Sequence, residues 1–219
     1  MTEIIGHRGV PGLYSDNSLT GINAAKQYCS AVEIDLRLTK DSEIFLFHDP
    51  DINGVKIHCK DKDDLISEFS HLNIQDYHLT SRNQLGLLPV FFEMKVDGVN
   101  DEQREILKEK TIALVSEEDT IICFDWNLIF EIRNRTISRY GIHIGNEKQL
   151  YEAKSISLLD QNMLFMVKAE LIETRAFDLP VNRVVAWTVN SIDLAKRLIQ
   201  MEINGIITDI PEDLSKLTK

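Results

Sequence analysis

Short runs of β-branched and apolar residues recur along the whole chain, and stretches with helical spacing separate them. Strands that alternate with helices are typical of a parallel sheet, and a chain of 219 residues is long enough for one α/β barrel. Residues 1–219 therefore predict a single domain with the TIM (β/α)8 barrel fold. The eight runs that predict barrel strands are Thr2–Ile5, Ala31–Leu38, Pro89–Lys95, Thr120–Phe124, Tyr140–Ile144, Ser155–Leu159, Arg183–Val189 and Gly205–Thr208.

Helical patterns fill the intervals between these runs. Several begin with start signals, such as Asn100 before the long helix, Asn190-Ser191 before the next-to-last, and Pro211 at a first helical position. A doubly wound open sheet is the alternative, but no glycine-rich phosphate loop follows a strand, which favours the barrel. The predicted helices are Ser18–Cys29, Asp101–Val115, Trp126–Asn134, Glu147–Ala153, Lys168–Phe177, Ile192–Met201 and Pro211–Leu217.

The segment between the second and third barrel strands is shortened and irregular. Glu43–Phe47 predicts an extra strand that pairs with the second strand as a hairpin. Ile57–Leu88 follows with a charged run, one short helix ending near Phe69 and little periodicity. We interpret it as an insertion or lid beside the site, or as a degraded βα unit.

Charge and composition exclude several classes of protein. A formal charge of −11 with no basic stripe argues against a nucleic-acid partner, although a bound divalent cation could still bring a small phosphate ligand to the chain. Cys29, Cys59 and Cys123 have no CxxC spacing and predict reduced thiols. No signal-peptide pattern opens the sequence and no apolar run reaches membrane length, so we expect a cytoplasmic protein without an integral membrane segment.

Polar side chains cluster where the early strands end, and in a parallel barrel such positions form the active face. Side chains two apart on a strand point the same way. The residues that this argument brings together are His7 and Arg8 after the first strand, Glu33 and Asp35 on the second, His48 after the hairpin strand, and Glu93 and Lys95 on the third.

Three inward carboxylates are costly to bury unless a cation neutralises them, and oxygen ligands favour Mg²⁺ or Ca²⁺ over zinc. Lys95 and Arg8 could then hold a phosphate, while the two imidazoles act as general base and general acid. The alternative for each residue is structural. Glu33 and Asp35 could pair with Arg37 or Lys95, Glu93 with Lys95 could be an ion pair, and His48 could bond to backbone.

Seven motifs in sequence order make the chain resemble the glycerophosphodiester phosphodiesterase family. The motifs are Gly6-His7-Arg8-Gly9, Asp16-Asn17-Ser18, Glu33-Ile34-Asp35, Phe47-His48-Asp49, Glu93-Met94-Lys95, Trp187-Thr188-Val189-Asn190 and Gly205-Ile206-Ile207-Thr208-Asp209. The resemblance spans nearly the whole chain. It implies a TIM barrel that hydrolyses a small-molecule glycerophosphodiester to sn-glycerol 3-phosphate and an alcohol, with one divalent cation.

The resemblance also implies residue roles by match of position. His7 and His48 match the acid/base pair, and Glu33, Asp35 and Glu93 match the metal ligands. Arg8 and Lys95 match phosphate contacts, while Asn17 and Trp187 match residues that line the pocket. In the family, a neighbouring glycerol hydroxyl attacks phosphorus, and water then opens the cyclic phosphate with the histidine roles reversed.

The chain departs from the family pattern at four places. Ser15-Asp16-Asn17-Ser18 stands for Pro-Glu-Asn-Thr, and the segment after His48 lacks an Arg-Thr-Thr-Gly run. Asn83–Leu88 stands near the place of a Pro-Thr-Leu-Glu helix, and Cys123 replaces a serine. None of these departures removes a predicted metal ligand or a predicted catalytic histidine.

Two alternatives remain open from the sequence. A related phosphodiesterase could act on a lysophospholipid or a glycerol-phosphate-decorated glycan, with an apolar rim near the mouth from Leu85, Leu87, Leu88 and Phe91. A barrel that binds phosphodiesters or a protein partner without turnover is the other. Among the remaining polar residues, we expect His143 to pack in the core and Asp209 to cap the helix that begins at Pro211.

Overall fold

The computed structural model describes residues 1–174 and 177–218, and within them eight parallel strands close into a barrel. Each strand pairs with the next around the ring, and the first strand closes it by pairing with both the second and the last. The predicted (β/α)8 architecture is thereby confirmed. The barrel strands are β1 (Glu3–His7), β2 (Ala31–Leu38), β7 (Val90–Met94), β8 (Thr120–Cys123), β9 (Arg139–Ile144), β10 (Leu164–Lys168), β11 (Val184–Trp187) and β12 (Gly205–Thr208), with β3 to β6 lying in the segment between β2 and β7.

Alternate residues of each strand face the barrel interior. A buried plug of apolar side chains, including Ile5, Phe91, Ile122 and Met166, fills this space. The residue two positions after Ile5 is His7, and the residue two positions after Phe91 is Glu93, so the side chains above the plug become polar. The same strands pack their other face, through residues such as Phe92, against the helices.

The helices surround the barrel and begin close to the predicted positions. Polar side chains cap several of them: Asn100 accepts from Gln103 N–H, and Asp125 accepts from Asn127 and Leu128 N–H. The helices are α1 (Leu19–Ala24), α2 (Lys62–Glu68), α3 (Asp101–Leu114), α4 (Trp126–Ile132), α5 (Glu147–Leu159), α6 (Ala169–Ile172), α7 (Ile192–Gln200) and α8 (Pro211–Leu214).

One predicted strand is wrong. Ser155–Leu159 belongs to the last turns of α5, and the sixth barrel strand is Leu164–Lys168, after a turn at residues 160–163. Leu158 and Leu159 are 78% and 86% exposed, so an apolar run on a helix surface imitated a strand. The predicted helix 168–177 starts one residue late as α6, and its positions 175 and 176 lie outside the described residues.

The irregular segment after β2 forms a small unit with its own core. The second half of β2 pairs with antiparallel β3 (Ile44–Leu46), as the predicted hairpin requires, and β3 pairs with β6 (His78–Leu79). A short ladder, β4 (Asp51–Ile52) with β5 (Val55–Lys56), lies between them. Buried apolar residues hold this unit together, namely Phe45, Ile52, Ile57, Leu65, Phe69 and Ile74. β3 runs back along β2 as far as Phe47, whose N–H donates to the Asp35 carbonyl oxygen at 3.1 Å, and this pairing brings the next residue, His48, to the site.

Candidate active site

The turn after β1 positions the first two polar residues. A Cβ at Gly6 would lie 2.2 Å from the Gly9 carbonyl oxygen, and Gly9 has φ +93°, so both positions require glycine. Arg8 adopts a left-handed conformation (φ 54°) and its backbone N–H donates to Glu33 Oε2 at 3.2 Å. The tight turn therefore aims His7 and Arg8 at β2.

Three buried carboxylates meet at the centre of the barrel mouth. Asp35 lies opposite Glu93 in the β2–β7 register, and Glu33 lies opposite His7 in the β1–β2 register. One ligand atom from each of Glu33, Asp35 and Glu93 lies within 4.8 Å of the others. The predicted metal-ligand set is thus assembled as a single cluster.

Two cations partly balance this cluster. Lys95 Nζ lies 3.0 Å from Asp35 Oδ1 and also bonds Glu93, while Arg8 Nε lies 3.2 Å from Asp35 Oδ2. Burial alone would raise the pKa of Asp35, but Lys95 and Arg8 hold it below its usual value. Burial favours loss of the Lys95 charge as well, yet Glu93 and Asp35 raise its pKa.

Glu33 is the carboxylate that these cations leave least satisfied. Its Oε1 is buried and has no hydrogen-bond partner among the described residues. Burial, followed by the charges of Asp35 and Glu93, raises the pKa of Glu33 well above its usual value. A cation between the three carboxylates would remove this penalty, so the residues fit a hard divalent ion bound through oxygen.

Asn17 differs from its prediction as a pocket-lining residue. It is 1% exposed, its amide donates to Asp35 Oδ2 at 2.8 Å, and its carbonyl oxygen accepts Asp35 N–H at 3.0 Å. The side chain therefore lies behind Asp35 and fixes that carboxylate, because both of its polar ends are used there.

His7 is held by the last barrel strand. Its Nδ1 lies 2.5 Å from Asp209 Oδ1, and its Nε2 lies 3.9 Å from Glu33 Oε2. The prediction that Asp209 caps the last helix is wrong: the residue before α8 is Ile210, and no side chain caps that helix. Asp209 turns inward instead, because it continues the inward alternation of β12 through Ile207.

His48 is held mainly through its backbone. The guanidinium of buried Arg37 donates from Nε (2.9 Å) and Nη2 (2.5 Å) to the His48 carbonyl oxygen. The same group contacts both carboxylate oxygens of Asp97 at 3.1 Å. Among the described residues, the imidazole itself bonds only its exposed neighbour Asp49, at 2.8 Å. Arg37 thus joins the hairpin to the loop after β7, and does not pair with Glu33 or Asp35.

A cavity of about 130 Å³ lies at the mouth of the barrel. It opens beside a cleft of about 620 Å³, and His48, Glu93, Lys95 and Phe124 line both spaces. Of the nine residues predicted for the site, seven line the smaller cavity: His7, Arg8, Glu33, His48, Glu93, Lys95 and Trp187. The other two, Asp35 and Asn17, lie directly behind it.

An aromatic wall completes the cavity and includes a histidine that the sequence analysis assigned to packing. His143 stacks on Phe124 (ring centroids 4.1 Å apart) and meets Trp187 edge to face. Its Nε2 lies 3.6 Å from Glu93 Oε2, and burial lowers its pKa. The two-residue alternation along the strand could have indicated this position. His143 follows Gly141 by two residues and so shares the inward face of β9.

The proposed apolar rim does not lie at the mouth. Leu85 and Phe91 are buried, and residues 85–88 precede β7, at the amino ends of the strands. Arg82 bonds Leu88 and Asp119 there, and Asp119 directly precedes β8. These leucines are at the opposite end of the barrel from His7 and His48, so they cannot contact a substrate there. In residues 1–174 and 177–218, no helix is long and apolar enough to cross a membrane.

Comparisons with known proteins identify the family and the fold. A model of the glycerophosphoryl diester phosphodiesterase family matches residues 7–168. The Bacillus subtilis (strain 168) protein YhdW is 22% identical, over 97% of this chain and 96% of its own length. The structure is similar to a glycerophosphodiester phosphodiesterase from Thermotoga maritima (TM-score 0.77, 23% identity, 99% of this chain and 98% of that one). It is also similar to an Oleispira antarctica phosphodiesterase solved with sn-glycerol-3-phosphate (TM-score 0.76, 16% identity, 100% and 97%).

The acidic, basic and imidazole side chains lie at the carboxyl end of the barrel, the face that holds the active sites of TIM-barrel enzymes. The family match covers most of the chain, and the chain belongs to the glycerophosphoryl diester phosphodiesterase family. Its class is therefore that of the phosphoric diester hydrolases.

Proposed function

We propose that this chain hydrolyses a glycerophosphodiester to sn-glycerol 3-phosphate and an alcohol. The observation that carries the proposal is the assembly, in one cavity, of three buried carboxylates, two cationic side chains and two imidazoles. His7 and His48 are the acid/base pair, and Glu33, Asp35 and Glu93 hold one divalent cation. The product bound to the Oleispira antarctica phosphodiesterase, sn-glycerol-3-phosphate, supports this choice of substrate class.

Charge supports the cation. Glu33, Asp35 and Glu93 bring three negative charges when ionised, whereas Lys95 and Arg8 supply two positive ones at the cluster. Carboxylate oxygens are the ligands that Mg²⁺ and Ca²⁺ prefer. When bound, such an ion neutralises charge on a phosphodiester and stabilises the charge that develops as it reacts.

The remaining chemistry belongs to the side chains. Arg8 and Lys95 line the cavity and offer N–H donors to phosphate oxygens. One imidazole takes the proton of the glycerol hydroxyl next to the phosphoester, and that oxygen attacks phosphorus. The bond from phosphorus to the leaving oxygen breaks, and the other imidazole gives that oxygen a proton. Water then opens the cyclic phosphate, with the two imidazoles in exchanged roles, so that one water is consumed in each turnover.

The cleft beside the cavity offers space for the leaving alcohol. It borders His48 and Phe124, and Phe124 is 45% exposed. We infer that the alcohol leaves through this cleft, because His48, Glu93, Lys95 and Phe124 line both the cleft and the smaller cavity.

The test is release of glycerol 3-phosphate from glycerophosphocholine, glycerophosphoethanolamine and glycerophosphoglycerol, with Mg²⁺, Ca²⁺ or EDTA. The variants are His48→Ala and, as a matched control, His71→Ala, at an exposed histidine that lines neither the cavity nor the cleft. We expect metal-dependent release by the wild type and His71→Ala, and a loss of roughly 10²–10⁴-fold in His48→Ala.

Two results would contradict the proposal. Equal rates of glycerol 3-phosphate release in EDTA and in either metal would show that the reaction does not require a cation. Binding of the diesters without release under any metal would instead favour a barrel that binds phosphodiesters without turnover.

A further inference from the structure

Asp209 is the one residue at the end of β12 whose side chain reaches the proposed acid/base pair. Its Oδ1 lies 2.5 Å from His7 Nδ1. The two residues are 202 positions apart in sequence, and β1 and β12 are neighbours in the barrel, so closure of the barrel creates this contact.

A second side chain fixes Asp209. The Asn190 amide donates to Asp209 Oδ2 at 2.6 Å, and the Asn190 carbonyl oxygen accepts Asp209 N–H at 2.9 Å. The same oxygen accepts the Thr208 hydroxyl at 3.3 Å. Both carboxylate oxygens of Asp209 are therefore assigned, one to His7 and one to Asn190, and the carboxylate cannot rotate without losing a bond.

The charge state of Asp209 follows from these contacts. The hydrogen bond to His7 lowers the pKa of Asp209, against a smaller opposite effect of burial, and Asn190 lowers it further. An ionised carboxylate only accepts hydrogen bonds, so His7 Nδ1 must carry the proton. The tautomer of a neutral His7 then leaves Nε2 unprotonated, on the side of Glu33 and the cavity.

We propose that Asp209 and Asn190 are positioning residues that fix the ring orientation and tautomer of His7, so that Nε2 is the nitrogen that exchanges protons with substrate. This rests on the proposed catalytic role of His7. An aspartate that orients a catalytic histidine in this way has a large effect in serine proteases, where its change to asparagine costs about 10⁴-fold.

The test compares Asp209→Asn and Asn190→Ala with the control Asp213→Asn, which changes a surface carboxylate that pairs with Lys216. We expect Asp209→Asn to lower kcat by roughly 10²–10⁴-fold with KM within about twofold, because an asparagine amide can donate to Nδ1 and favour the other tautomer. Asn190→Ala, which keeps the carboxylate, should cost about tenfold or less. Asp213→Asn should match the wild type.

A second readout does not depend on turnover. The ¹⁵N shifts of the His7 ring report which nitrogen carries the proton, and we expect Nδ1–H in the wild type and a shift toward Nε2–H in Asp209→Asn. An unchanged His7 tautomer in Asp209→Asn, or a wild-type kcat in that variant, would overturn the positioning role. If the wild type releases no glycerol 3-phosphate but the tautomer still depends on Asp209, the assigned chemistry of His7 fails while the positioning contact stands.

Discussion

The two ends of the barrel each contain buried carboxylates, but they satisfy them differently. At the amino end, Asp119 is fully buried and accepts from Arg82 (2.8 and 2.9 Å), Ser116 N–H (2.8 Å) and Val90 N–H (2.9 Å). Burial opposes ionisation, but these bonds lower the pKa of Asp119. At the carboxyl end, Glu33 has a buried oxygen without a partner among the described residues, and its pKa is raised.

The contrast separates a structural from a functional arrangement. A buried carboxylate with a full set of donors is satisfied by the protein alone, and it holds β7 and β8 in place. A buried carboxylate that the protein leaves unsatisfied costs stability, and such costs concentrate at sites that bind ligands. Changes at the carboxyl end should therefore lower activity without a loss of stability, and changes at the amino end should lower stability without a loss of activity.

The largest expected effect is on activity at the carboxyl end. His7→Ala should lower kcat by roughly 10²–10⁴-fold, because it removes one member of the acid/base pair. The free energy of unfolding should change by less than about 1 kcal/mol, since the His7 side chain is partly exposed and Asp209 keeps its hydrogen bond from the Asn190 amide. Steady-state kinetics and urea titration measure the two properties. A wild-type kcat would remove His7 from the mechanism.

The amino end should show the reverse. Asp119→Ala should cost about 3–5 kcal/mol of unfolding free energy at neutral pH, because Arg82 and the Val90 N–H lose their acceptor. Folded protein should keep its kcat. Since the pKa of Asp119 is lowered on folding, its contribution is present above about pH 4 and is lost as pH falls through the folded-state pKa.

The control for this change is Asp63→Ala, at an exposed residue that pairs with its neighbour Lys62. It should leave the unfolding free energy within about 0.5 kcal/mol of the wild type. An Asp119→Ala protein as stable as this control would contradict the structural role of the amino-end cluster.

Arg37 tests how rigidly the carboxyl end must hold His48. Arg37→Lys keeps a charge but not the two-pronged donor that binds the His48 carbonyl oxygen and Asp97. We expect kcat to fall by about 10-fold to 100-fold in Arg37→Lys and Arg37→Met alike, through displacement of His48. Lys40→Met, at an exposed lysine outside the site, is the matched control. Full activity of Arg37→Lys would assign the effect to charge instead of geometry.

The smallest expected effect is a gain of stability. In EDTA at neutral pH, Glu33→Gln should raise Tm by roughly 2–4 °C, the shift that about 1 kcal/mol produces in a domain of this size. The pKa of Glu33 is raised on folding, so below about pH 4 the group is protonated in both the folded and the unfolded chain and costs no stability. The penalty appears as the pH rises above the pKa of the unfolded chain. The gain should therefore vanish in acid. A lower Tm than the wild type at neutral pH would mean that ionised Glu33 is not a burden.

The sequence allowed prediction of the barrel and most of the site because both depend on local patterns. Strand ends could be located from β-branched runs, and two-residue spacing placed Glu33 with Asp35 and Glu93 with Lys95 on one face. The sixth strand was misplaced because exposed Leu158 and Leu159 extended an apolar pattern over a helix end. Short apolar runs do not distinguish the two elements.

The supporting residues could not be predicted in the same way. Asp209 bonds His7 and Arg37 bonds the His48 carbonyl oxygen only because closure of the barrel and the β2–β3 hairpin bring distant chain segments together. Asn17 lies in a motif that resembles the family's, but the direction of its side chain is set by its hydrogen bond to Asp35. Side-chain direction at strand ends is set by tertiary contacts, which spacing alone does not reveal.

Calorimetric titration of Mg²⁺ and Ca²⁺ into the wild type, Glu33→Gln and Asp119→Asn tests the difference between the two ends most directly. We expect one ion per wild-type chain, much weaker binding to Glu33→Gln, and wild-type affinity in folded Asp119→Asn. Equal affinity of wild type and Glu33→Gln, or no binding to the wild type, would contradict the account of the carboxyl end as a site left unsatisfied for a cation.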